Sequence, residues 1–75
     1  MTLDEFVTAF AEEFDDTPVE DFKADTKFRQ LEEWSSLVAL SIISMVDDQF
    51  DKNITGADIR STETIEDLYN LIIAK

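Results

Sequence analysis

Residues 36–50 read SLVALSIISMVDDQF, and the fold turns on this run. At about 100° per residue, Val38, Ala39, Ile42, Ile43, Val46 and Phe50 fall on one broad arc, while Ser41, Ser44, Asp47 and Asp48 take the other side. A stripe of that kind belongs to a helix that buries one face. Ser35 precedes the run and offers the hydroxyl that caps a helix N-terminus, which makes Ser36 the first helical residue. Leu37 and Leu40 lie toward the edge of the arc, on the Ser36 side. Two readings stand for them: ordinary packing against another helix, or a small apolar spot for a partner. Asp51-Lys52-Asn53 closes the helix.

Outward from this run, the chain continues to read as helices. Upstream, Leu3, Phe6, Val7, Phe10, Ala11 and Phe14 recur at helical spacing, and Thr2 with Glu5 forms a capping box, which predicts a helix over residues 2–14. Pro18 disfavours the α region at Thr17 and stops it. A long connection follows, with Val19, Phe22, Phe28 and Leu31 as apolar anchors and a turn or two of helix near Lys27–Leu31. Downstream, Thr55 to Arg60 reads as a short helical turn pointed inward by Ile54 and Ile59. Thr64 then caps a last helix to about Ala74, with Asp67 at the reciprocal position and Ile65, Leu68, Tyr69, Leu71 and Ile72 as its apolar stripe. The plan is all-α: long helix, long loop, helix, short helix, helix.

The 75 residues set a limit of one domain, residues 1–75. With no cysteine or histidine in the chain, neither a disulfide nor a Cys/His zinc site can hold so small a core. Six phenylalanines and many Ile, Leu and Val must supply the cohesion. The same absences remove the common nucleophile–base pairs, so a non-enzymatic role is expected. Eighteen acids against six bases give a net charge of −12, which repels nucleic acid and favours partners with basic surfaces. No apolar stretch is long enough to span a membrane. The opening MTLDEF has neither the basic nor the apolar region of a signal peptide, so a cytoplasmic setting is expected.

Few residues remain as candidates for chemistry. Asp47, Gln49, Asp51, Asn53 and Asp58 imitate the spacing of a calcium loop, but Lys52 stands where that loop needs glycine and Asp58 where it needs bidentate glutamate. The acidic runs at residues 12–16 and at Glu32-Glu33 read as solvated surface or as docking sites for basic partners. Trp34 reads as an anchor for the long loop or as a partner contact. Ser35-Ser36 puts a hydroxyl at the mouth of a helix, where another enzyme can reach it. A phosphate attached there meets free backbone N–H groups and the positive end of the helix dipole.

Together these residues resemble the acyl carrier protein family along nearly the whole chain. The resemblance centres on Trp34-Ser35-Ser36-Leu37, the apolar helix and Asp47-Asp48-Gln49-Phe50. It extends through Ile54, Asp58-Ile59 and Thr64-Ile65-Glu66-Asp67-Leu68 to Ile72. The family's Asp-Ser-Leu motif is matched in its Ser-Leu part, with Ser35 standing for the aspartate, and Glu32-Glu33-Trp34 replaces the usual glycine before it. The resemblance implies a four-helix bundle with a long loop between helices one and two and a short third helix.

It further implies that Ser36 carries 4′-phosphopantetheine, transferred from coenzyme A by a phosphopantetheinyl transferase. The terminal thiol would then hold acyl or aminoacyl groups as thioesters. An acyl-loading ligase or acyltransferase and condensing enzymes with basic surfaces would be the further partners. Asp47 and Asp48 would steer them, and Leu37 and Leu40 would give the apolar contact. Ile43, Val46, Ile54 and Ile59 would line a cleft between helices two and three for an acyl chain, or else be permanent core. A monomer is expected. The alternative is a small acidic helical protein-protein interaction module with no prosthetic group.

Overall fold

A computed structural model describes residues 2–75, and the expected helical plan is what it shows. Four helices follow one another: α1 (Leu3–Glu12), α2 (Ser36–Phe50), α3 (Gly56–Arg60) and α4 (Ile65–Ile73). Three of them begin with the same device, a threonine whose hydroxyl accepts the N3 amide while the N3 carboxylate accepts the cap amide. The pairs are Thr2–Glu5, Thr55–Asp58 and Thr64–Asp67. Each pair satisfies two of the donors that a helix start leaves without an intrahelical partner. Helix α2 uses Ser35 alone, whose Oγ accepts the Val38 amide at 3.3 Å. It ends at Asp51 in the left-handed conformation, φ 54°.

The core is an aromatic cluster continued by aliphatic side chains. Phe6, Phe10, Phe28, Ile42, Val46, Ile65, Leu68 and Ile72 are fully buried. Phe10 sits at the centre of the rings, with centroids 5.4 Å from Phe28, 5.6 Å from Phe14, 6.1 Å from Phe6 and 6.2 Å from Phe22. Large rings bury much area at low entropic cost. They do here what disulfides do in other small chains. Met45 is also buried. The sequence reading leaves it off the apolar arc, although the helical period sets it beside Val38 and Ile42.

Two boundaries differ from expectation. Helix α1 stops at Glu12 rather than at residue 14. The Glu13 and Phe14 amides tighten onto the carbonyls of Phe10 and Ala11, at 3.2 and 3.0 Å, and Phe14 enters the core beyond the helix end. In the loop, the expected turn appears as a 3-10 turn at Phe28–Gln30, and a second one at Val19–Asp21 was not expected. Val19 does not anchor the loop, being 54% exposed. Phe22 does anchor it, buried with its ring 4.9 Å from Phe14.

The long loop between α1 and α2 is ordered by hydrogen bonds at its ends and in its middle. Its two ends are tied together by the Glu33 carboxylate, which accepts the amides of Asp15 and Asp16, at 2.9 and 3.1 Å, and the Thr17 hydroxyl, at 2.7 Å. In the middle, the first turn of α4 docks on the loop. The Glu66 amide donates to the Ala24 carbonyl at 2.9 Å and the Ile65 amide to the Thr26 carbonyl at 3.2 Å. Helix-start donors that would otherwise face water thereby fix the loop. The Arg29 guanidinium adds a bond to the Thr62 carbonyl at 2.8 Å. The loop's far end is thus held where it delivers Ser35 and Ser36.

Candidate functional site

Ser35 and Ser36 divide two tasks between them. The Ser35 hydroxyl is used as the cap of α2. Ser36, the next residue, is exposed, and its hydroxyl has no hydrogen-bond partner among the described residues. It stands in the first turn of a 15-residue helix, where backbone amides and the helix dipole favour a negative group. An oxygen in that position is open to an incoming enzyme and is not consumed by the fold.

The face of α2 that runs from Ser36 is solvent-exposed. Leu37 is 76% exposed and Leu40 61%. Ser44, Asp47 and Asp48 are exposed on the same side of the helix. The buried residues of α2, namely Ile42, Met45 and Val46, face the opposite way. The two leucines therefore lie outside the buried arc and are not among the described side chains packed against the core. They form an apolar spot between the serine and a carboxylate pair.

A groove of about 360 Å³ opens at Ser35 and Ser36. Trp34, Ala39 and Ile59 give it apolar walls, and Arg29, Gly56 and Arg60 complete it. Of the residues expected to shelter an acyl chain, Ile59 lines this groove. Val46 and Ile54 are buried in the core, and Ile43 is partly buried against it. Trp34 serves two surroundings at once. Its ring lies parallel to Phe10, with centroids 6.5 Å apart, and 5.1 Å from Phe28, while it also forms part of the groove.

The sequence reading did not single out Arg29, Gly56 or Arg60. They are the chain's two arginines and its one glycine, drawn from the long loop and from α3, and only the fold brings the two segments together at the groove. A Cβ on Gly56 would meet the Arg60 Nη1 at 3.2 Å, so the bare backbone there gives the guanidinium room to lie against it. No carboxylate among the described residues lines the groove. Asp58, the acid of α3, is committed elsewhere. Its oxygen lies 3.2 Å from the Lys75 ammonium, and the Thr55 amide together with that ammonium holds its carboxyl below the usual aspartate range.

The family model described as a phosphopantetheine attachment site matches residues 4–72. The chain belongs to that family. No curated protein matches the chain in a sequence comparison. Membership makes the chain a phosphopantetheine carrier, and its cofactor is covalently attached 4′-phosphopantetheine. The residues around Ser36 suit such a group: an unpartnered hydroxyl, a helix start and a groove with cationic and apolar sides. No helix among the described residues is long and apolar enough to cross a membrane.

Proposed function

We propose that Ser36 is the attachment residue and that the chain presents acyl or aminoacyl thioesters to separate biosynthetic enzymes. The observation that carries this reading is the exposed, unpartnered hydroxyl of Ser36 in the first turn of α2. When bound, the prosthetic group supplies the thiol chemistry that a chain without cysteine lacks. The chain's own part is to bind, aim and be recognised. With no histidine present, the transferase must bring the base that takes the Ser36 proton.

The face of α2 gives partners two handles. Asp47 and Asp48 attract a basic surface during approach, which raises the rate of productive encounter more than the final affinity. Leu37 and Leu40 then bury apolar area beside the loaded serine. We place any shelter for an apolar cargo behind Ile59, where Ile43, Val46 and Ile54 continue into the core. Fatty-acid, polyketide, amino-acid and lipid-assembly roles all fit such a device, and a loading ligase or acyltransferase would set the cargo.

The test is intact-mass analysis after incubation with coenzyme A and a broad-specificity phosphopantetheinyl transferase. The chain should gain one phosphopantetheinyl group. Ser36→Ala should abolish the gain. Ser35→Ala should keep it, while losing about 1 kcal/mol of stability with the cap. A gain that depends on Ser35, or none at all, overturns the assignment, and the latter outcome returns the chain to a bare interaction module.

A further inference from the structure

In a chain with 18 carboxylates and a net charge of −12, the chain's two arginines both line the groove at Ser36. Neither makes an ion pair among the described residues. Arg29 spends one nitrogen on the Thr62 carbonyl, at 2.8 Å, and its remaining donors stay available. The Arg60 guanidinium has no hydrogen bond among the described residues and rests against Gly56. Leaving two guanidinium groups without a carboxylate is unexpected on so acidic a surface. A guanidinium is a fork of planar donors suited to carboxylate or phosphate. The opposite side of the same groove is apolar, formed by Trp34, Ala39 and Ile59.

We propose that Arg29 and Arg60 hold the phosphodiester of the group attached at Ser36, so that its tether lies along this groove between α2 and α3 instead of extending free into solvent. The inference rests on Ser36 being the attachment residue. A phosphodiester linked to the Ser36 oxygen carries one negative charge at the mouth of the groove, and the arginines are that groove's cationic walls. The rest of the tether, uncharged and partly aliphatic, matches the Trp34–Ile59 side. Arg29 and Arg60 thus set where the thiol end points between visits to partner enzymes.

The experiment compares the unloaded and loaded forms of the wild type, Arg60→Gln, Arg29→Gln and Gly56→Ala by amide and side-chain NMR, after mass analysis has confirmed complete loading of each. In the wild type, loading should shift the resonances of Ala39, Gly56, Ile59 and the Arg60 guanidinium and introduce one phosphorus resonance from the tether. Arg60→Gln should collapse the shifts at Ala39 and Ile59 and move the phosphorus resonance. Gly56→Ala, which crowds the guanidinium without changing charge, should weaken them. Arg29→Gln also loses the bond to Thr62, so Arg60→Gln, whose side chain bonds nothing, is the deciding variant. Full loading with shifts confined to Ser36 and Leu37, or shifts unchanged in Arg60→Gln, overturns the proposal while leaving the carrier assignment intact. Absence of loading in the wild type fails the assignment itself, and the proposal falls with it.

Discussion

At the scale of single residues, the molecule divides between side chains that cannot be spared and side chains the fold does not use. Phe10 is the first kind. It is fully buried and lies against Phe6, Phe14, Phe22, Phe28 and Trp34. Phe10→Ala should cost about 3–5 kcal/mol, which is most of what a small domain has. A urea titration should therefore find the variant largely unfolded near neutrality. Ser36, Leu37 and Leu40 are the second kind, exposed and outside the core. The serine pair was legible in the sequence because a cap and a first helical residue are local matters. Arg29, Gly56 and Arg60 were not legible. Gly56 and Arg60 are neighbours by helical spacing, but the fold alone sets them beside Arg29 and Ser36, and no local pattern in the chain records that.

Elements carry the second scale, and here the loop is the informative one. Helix starts were readable from threonine and acid three residues apart, because both partners of a capping box lie within one turn. The loop's order was not readable, since Glu33 reaches back to residues 15–17 and the start of α4 reaches back to Ala24 and Thr26. The Thr17 hydroxyl and the amides of Asp15 and Asp16 hold the Glu33 carboxyl below the usual glutamate range. A carboxyl lowered on folding contributes stability that is complete above its unfolded value and is lost as pH falls through the folded one. The destabilisation caused by Glu33→Gln should therefore be full at neutral pH and fade as the solution is acidified. Thermal melts of both proteins across that range give the comparison, and a difference independent of pH would exclude the ionised carboxylate as its source.

For the whole molecule, charge is the strongest influence outside the core. A net charge of −12 is confined to a body with a radius of gyration of 10.9 Å. The Debye length is about 10 Å at 0.1 M salt, so at low ionic strength carboxylates on opposite sides still repel one another. Added sodium chloride should raise the melting temperature by screening that repulsion, and Asp47→Asn with Asp48→Asn should reproduce part of the effect at low salt. The same salt should slow association with any basic partner enzyme, because it screens attraction as well. Net charge and the all-helical plan were both open to sequence reading, since each depends on composition or on a period of a few residues. The resemblance implied a cleft between helices two and three, but its cationic side was not readable, because Arg29 joins Arg60 only where the long loop meets α2 and α3.

Trp34 joins the ring stack around Phe10 on one side and borders the Ser36 groove on the other. The chain has no other tryptophan. Its ultraviolet emission is therefore an intrinsic optical gauge with a single source, placed between the interior and the point of attachment. Filling the groove should change the wavelength or quantum yield of that emission, so that loading could be followed in real time, without a label, by a fluorimeter.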